Sequence, residues 1–209
     1  MTRPLADWND VQRQRAAADS DSIRGGRPVS INEYMKIVRA GRQFIDRAMQ
    51  NSKRHCLHAV DLREAAYQRV QKPWGGFTVD AHTGTPIPEN YKGDTYAVTA
   101  RLPDMSQVTV PINADRKAFD TAYNQAIKTY ERVLDSEGGH LGIFHNQDTQ
   151  RIEFDPVYHI EDVATTEAVG AYTHAVGGAY HFGSGYGHWM PHVVDEGLTQ
   201  WVRDMAKRA

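Results

Sequence analysis

Four histidines fall within one short, glycine-rich stretch near the end of the sequence. Residues 170–192 contain six glycines, four histidines and five aromatic residues. Neutral imidazole is a common nitrogen ligand of zinc, copper and nickel, so His174, His181, His188 and His192 form a candidate metal site. A transition metal bound there would serve a metal-dependent hydrolase. However, the spacings of seven, seven and four residues match no zinc signature, so the absence of any cofactor is the favoured interpretation.

The same stretch contains glycines and a serine that could support other chemistry. Gly183, Gly185 and Gly187 resemble the start of a phosphate-binding loop, but such a loop needs a helix directly after it, and His188 is followed by Trp-Met-Pro. Ser184 lacks the helix that follows a nucleophile elbow. No complete set of nucleophile, base and orienting group can be assembled from spacing alone. The sequence therefore leaves any catalytic residue unknown.

The large side chains of this stretch favour recognition of a protein. Tyrosine, tryptophan and methionine are enriched in interfaces, and glycines let a loop hold such side chains in a fixed arrangement. The predicted binding residues are Tyr180, Tyr186, Trp189 and Met190, with Trp189 as the main anchor beside the stiff Pro191. We therefore expect a non-enzymatic accessory protein that binds another protein or associates with itself into a homo-oligomer.

Composition disfavours several other classes of protein. The 209 residues carry a net charge of -2 with a pI near 6.5, which provides no basic field for nucleic acid. The mean hydropathy is -0.61 and no apolar run could span a bilayer, so no membrane partner is expected. Cys56 is the single cysteine, and the first residues lack the apolar stretch of a secretory signal. These features predict a cytoplasmic protein.

The elements that must position these residues begin after a polar arm. Residues 1–29 contain few large apolar groups. This composition predicts a flexible arm, with a short helix around residues 6–18. Ser30 and Glu33 have capping-box spacing at the start of an amphipathic helix. A second helix is predicted at 61–70. Together these two helices make a helical segment, residues 30–73, that packs on the body of the protein.

Residues 74–209 predict an α+β domain. The alternating segments 96–102 and 108–110 flank a Pro-Asp turn and are expected to pair as a hairpin. Asn113 is the predicted cap of the strongest helix. The apolar stripe of that helix consists of Phe119, Tyr123, Ile127, Tyr130 and Leu134.

A second strand pair follows that helix. Residues 141–145 and 151–154 are its two strands, and 157–160 extend the second strand beyond a proline. A short helix capped by Asp162, a strand at 179–182 and a last helix from about residue 195 complete the pattern. The order of elements predicts a mainly antiparallel sheet with helices packed on one face.

One part of the sequence resembles a known group of proteins. From Gly139 to Val193, GHLGIFHNQDTQRIEFDPVYHIED followed by GAYTHAVGGAYHFGSGYGHWMPHV is similar to small uncharacterised proteins of actinobacteria and their bacteriophages. The resemblance implies a phage or prophage accessory protein that binds a host or virion component. It carries no activity and no catalytic residue with it.

Overall fold

The computed structural model describes residues 26–57, 61–88, 91, 93–173, 175, 179–184, 186–188 and 190–193, with only the backbone described at residues 186, 192 and 193. The helices in these ranges are α1 (Ile31–Gln50), α2 (Arg63–Val70), α3 (Arg116–Thr129), α4 (Glu131–Leu134) and α5 (Val163–Tyr172). The strands are β1 (Pro28–Val29), β2 (Gly76–Asp80), β3 (Tyr96–Thr99), β4 (Val108–Pro111), β5 (Gly139–Asn146), β6 (Arg151–Ile160), β7 (Ala179–His181), β8 (Tyr186–His188) and β9 (His192–Val193).

Seven of the described strands form one antiparallel sheet, and helices pack on one of its faces. The strand order is β2-β5-β6-β3-β7-β8, and β4 also pairs with β6. A separate two-stranded ladder joins β1 to β9 in parallel. The predicted α+β fold with a mainly antiparallel sheet is therefore confirmed. In the described ranges, no helix is both long enough and apolar enough to cross a membrane.

The expected hairpin between residues 96–102 and 108–110 is wrong. β3 pairs with residues 157–160 of β6, and β4 pairs with residues 151–154 of the same strand. Because both strands run antiparallel to β6, they run in the same direction and lie end to end along its edge. The turn at Pro103 and Asp104 does form, and Met105 N–H donates to the carbonyl of Leu102. This turn leads the chain back to the edge of β6 and does not pair β4 with β3.

The apolar stripe of α3 and α4 fills the core as predicted. Phe119, Tyr123, Ile127, Tyr130 and Leu134 are all at most 2% exposed. They pack on one face of the sheet, since alternate side chains of a strand point to the same side. The sheet residues that meet them are Phe77, Val79, Val108, Leu141, Ile143, Ile152 and Phe154.

A second core group lies under α1 and α5. Ile45 and Ala48 of α1 pack with Val98, Tyr158 and Val169. The two helices approach closely at Gly41, where a side chain would collide with the carbonyl oxygen of Ala168. Burial of this face fixes the position of β3, and β3 in turn carries β7 and β8.

Helix α3 begins two residues later than predicted. Asp115, not Asn113, is the N-cap residue, and its side chain accepts a hydrogen bond from Ala118 N–H at 2.7 Å. Asn113 lies in the turn that leaves β4. The caps predicted at Ser30 and Asp162 are confirmed, because their side chains accept from the N–H groups of Glu33 and Thr165.

Replacing Asp115 with alanine is expected to lower the free energy of unfolding by about 1 kcal/mol, because the Ala118 N–H loses its acceptor. Asn113→Ala is the matched control and should change the free energy by less than about 0.5 kcal/mol. Chemical denaturation of both variants measures the difference. Equal effects would show that the cap is not at Asp115.

Part of the predicted arm belongs to the body of the protein. Val29 is 5% exposed and pairs with residue 193, and a side chain at Gly26 would collide with the carbonyl of Met190. Arg27 forms an ion pair with Glu167 of α5. The body therefore begins by residue 26. Residues 1–25, including the helix predicted at 6–18, lie outside the described ranges, as does the helix predicted from residue 195.

Candidate functional site

The glycine-rich stretch adds two short strands to the sheet. β7 pairs with β3, and β8 pairs with β7 after a turn that includes residues 182–184. The strand predicted at 179–182 is confirmed at Ala179–His181. The alternation of side chains along these strands then sends neighbouring residues to opposite faces of the sheet.

Two of the four candidate metal ligands are brought together. His181 stacks on Tyr96 with ring centroids 4.5 Å apart, and His188 meets the same ring edge-on at 5.5 Å. His174 lies outside the described residues, and only the backbone of His192 is described. Within the described ranges, no three histidine, cysteine, aspartate or glutamate side chains are placed to hold a metal ion. The four-histidine site stays a prediction.

His181 forms hydrogen bonds at both ring nitrogens. The Nδ1 atom lies 2.8 Å from Ser184 Oγ, and the Nε2 atom lies 2.9 Å from an oxygen of Asp94. Ser184 N–H also approaches Nδ1, at 3.3 Å. Asp94 comes from the segment before β3, while the serine follows in the turn after β7. A serine, a histidine and an aspartate thus form one hydrogen-bonded chain.

His188 belongs to a different polar group. Its Nε2 lies 3.3 Å from a carboxylate oxygen of Glu167, which is almost buried on α5. The other oxygen of Glu167 accepts from Arg27 at 3.3 Å, and Arg27 also bonds to Glu33 of α1. This group joins the start of the body to two helices and to β8. Each of these side chains is thus held by another member of the group.

The four predicted binding residues divide between two environments. Tyr180 is 45% exposed on the helix-free face of the sheet. Met190 is partly buried in the second core group, and its sulfur would collide with any side chain at Gly170. Trp189 lies outside the described residues, and only the backbone of Tyr186 is described. Of the four, Tyr180 alone has a described side chain that is available to a partner.

Tyr180 is part of a continuous group of rings that we call the aromatic row. Phe182 lies at its centre, with ring centroids 5.3 Å from Tyr180, 5.4 Å from Tyr91 and 5.0 Å from His159. His159 in turn stacks on His140 at 4.2 Å. Tyr91 is 36% exposed. The row therefore runs from the solvent-exposed tyrosines into the sheet.

Burial favours the neutral form of both histidines in the aromatic row. Burial, with the neighbouring His140, lowers the pKa of His159 to about 3. Burial also lowers the pKa of His140, although its Nδ1–H donates to the carbonyl of Gly138 at 2.8 Å. The Nε2 atom of His159 is buried and has no hydrogen-bond partner within the described ranges. The row thus presents an uncharged aromatic surface.

A carboxylate lies beside this surface. Asp80 lies 3.8 Å from His140. Burial raises the pKa of Asp80, but the backbone N–H groups of Thr83 and His82 outweigh that effect, so the pKa is lowered. Asp80 therefore places a negative charge beside the aromatic row.

A second aromatic pair lies at the far end of the same face. Trp74 and Phe144 have ring centroids 6.0 Å apart, and Phe144 is 38% exposed. Between the two aromatic groups, Asp155 pairs with Arg101 at 3.4 Å. Burial raises the pKa of Asp155 to about 6, against the opposing effect of Arg101.

Sequence reasoning missed most of these residues. Tyr91, Asp94, His140 and His159 lie in segments distant from the glycine-rich stretch, and only strand pairing brings them near Tyr180 and His181. The one local signal was the spacing of His181 and Ser184, which suits a hydrogen bond across a turn. Searches of protein-family models, curated proteins and solved structures found nothing that matches this chain.

Proposed function

We propose that this chain is a protein-binding protein that docks its partner on the aromatic row. The observation that carries this proposal is the exposure of Tyr180 and Tyr91 around Phe182 on the helix-free face. Aromatic side chains on a rigid sheet supply large contact area at a low cost in conformational entropy. We further propose that it acts as a phage or prophage accessory protein in the cytoplasm, in line with the resemblance noted above.

The chemistry of the row favours a segment that carries an apolar side chain next to an arginine or lysine. Aromatic faces attract cations, and Asp80 adds negative charge at the border of the row. A second copy of the chain would fit less well, since a two-fold interface places the same surface on both sides and brings the two Asp80 carboxylates together. We therefore propose a different protein as the partner.

Selection from a displayed library of random 12-residue peptides tests this proposal. We expect the selected peptides to combine an arginine or lysine with an apolar residue and to compete for one site. Tyr180→Ala should weaken their binding at least about tenfold, because truncation of an aromatic anchor costs about 2 kcal/mol or more. The thermal midpoint of the Tyr180→Ala variant should equal that of the wild type, since the Tyr180 side chain is half exposed.

Phe144→Ala provides the matched control, because it removes an equally exposed aromatic residue from the far end of the same face. It should leave peptide binding unchanged. The proposal fails if no peptide is enriched, or if the selected peptides bind the Tyr180 variant as tightly as the wild type. Sedimentation of the wild type and the Tyr180 variant tests for self-association. A dimer that forms only when Tyr180 is present would show that the partner is a second copy of the chain.

A further inference from the structure

Ser184, His181 and Asp94 form a chain of hydrogen bonds, and the donor and acceptor of each bond can be assigned. A backbone N–H can only donate, so the approach of Ser184 N–H to His181 Nδ1 means that this nitrogen carries its lone pair. The ring proton is therefore on Nε2, where it donates to Asp94 at 2.9 Å. The hydroxyl of Ser184 then donates to Nδ1 at 2.8 Å.

The imidazole is held in place by groups that do not take part in this chain. Its ring stacks on Tyr96, with an angle of 27° between the planes. Gly183 allows the turn to close over the ring, since a side chain there would lie 3.1 Å from the Cε1 atom of His181. The His181 side chain is 19% exposed, whereas Ser184 faces solvent. A small substrate can thus reach the serine while the histidine stays fixed.

We propose that Ser184 is a nucleophile that accepts an acyl group from an activated carboxylic ester. His181 Nδ1 is the general base, and Asp94 is a positioning residue that orients the ring through Nε2. A nucleophile, a base within hydrogen-bond reach and a group that orients the base are three groups that acyl transfer uses. This proposal does not depend on docking at the aromatic row.

The reaction balances with the residues present, the ester and water. Ser184 Oγ bonds to the carbonyl carbon while its proton moves to His181 Nδ1. The bond from that carbon to the leaving oxygen then breaks, and the leaving alcohol takes the proton from Nδ1. In the second half, water attacks the acyl carbon and gives a proton to His181 Nδ1. The bond from that carbon to Ser184 Oγ then breaks, Oγ takes the proton from Nδ1, and the carboxylic acid leaves.

Labelling with a fluorescent alkyl fluorophosphonate tests the serine directly. The reagent forms a bond from phosphorus to a nucleophilic serine oxygen and releases fluoride, so mass spectrometry of the digested protein identifies the labelled residue. We expect the label on the peptide that contains Ser184 and none in Ser184→Ala. Ser52→Ala is the matched control: it removes another exposed serine and should react at the wild-type rate.

Two further variants separate catalysis from structure. His181→Phe keeps a ring against Tyr96 but removes the base, and the labelling rate should fall at least about 100-fold. Asp94 is 96% exposed, so solvent screens it and Asp94→Asn should slow labelling only about three- to tenfold.

Three results would overturn the proposal. One is the absence of label on Ser184 in the folded wild type, and another is an equal labelling rate in His181→Phe when that variant has the wild-type thermal midpoint. The third is equally fast labelling of wild-type protein unfolded in urea, because an activated serine requires the folded arrangement. Hydrolysis of p-nitrophenyl acetate that is lost in Ser184→Ala but not in Ser52→Ala would extend the result to a carboxylic ester.

Discussion

Phe119→Ala is expected to lower the free energy of unfolding by about 3 to 5 kcal/mol, because removing a buried ring leaves a cavity in the largest core group. The Phe119 side chain is fully buried, and its ring centroid lies 5.2 Å from Tyr67, 6.4 Å from Tyr123 and 5.4 Å from Phe154. It thus joins α2, α3 and β6. Equilibrium denaturation in guanidinium chloride measures the loss.

Two further variants of the same helix serve as a second test and as a control. Ile127→Ala removes a smaller buried side chain and should cost about 2 to 4 kcal/mol. Lys117→Ala alters an exposed position two residues before Phe119 and should change the free energy of unfolding by less than about 0.5 kcal/mol. Costs of a few tenths of a kcal/mol for Phe119 and Ile127 would show that the stripe does not face the core.

Acid should destabilise the wild type relative to His159→Gln. The unfolded chain binds a proton at His159 with a pKa near 6.5, whereas the folded state lowers that pKa to about 3. Between these values the unfolded state holds more protons, so the free energy of unfolding falls as pH falls. The contribution of the neutral His159 to the free energy of unfolding is fully present above pH 6.5. At pH 4, this free energy should be lower by about 3 kcal/mol because the unfolded chain binds a proton at His159.

A comparison with the variant is needed because Asp155 acts in the opposite direction. Burial raises the pKa of this carboxyl from 3.8 to about 6, so the folded state holds more protons between these values and Asp155 adds stability as pH falls. Urea denaturation of the wild type and His159→Gln at pH 7, 5.5 and 4 cancels that common effect. A difference between the two proteins that does not change with pH would contradict the burial of a neutral His159.

The two proposals for function use opposite faces at the same edge of the sheet. Tyr180 points to the helix-free face, while His181, the next residue, points to the face of Tyr96. Variants of one site can therefore be made without removing a residue of the other. A Ser184→Ala protein that still binds the selected peptides, together with a Tyr180→Ala protein that still takes the fluorophosphonate label, would establish two separate sites.

Local patterns in the sequence determined the main elements. The stripe from Phe119 to Leu134 repeats every three to four residues, and such a helix buries that face by packing it on another element. The caps at Ser30 and Asp162 could also be predicted, since each acts on an N–H group three residues away. Asp115 was missed in favour of Asn113 because both can cap a helix and lie two residues apart.

Strand pairing was decided only by the tertiary structure. The Pro103 turn favoured a hairpin locally, yet β3 and β4 both bury their apolar sides by joining β6, which is long enough for both. The candidate sites depend on the same long-range contacts. His181 and Ser184 are three residues apart in the sequence, but Asp94 reaches them only because β3 pairs with β7. The packing that aligns these strands comes from residues far from either site. The spacing of residues along the chain therefore could not predict which strands pair.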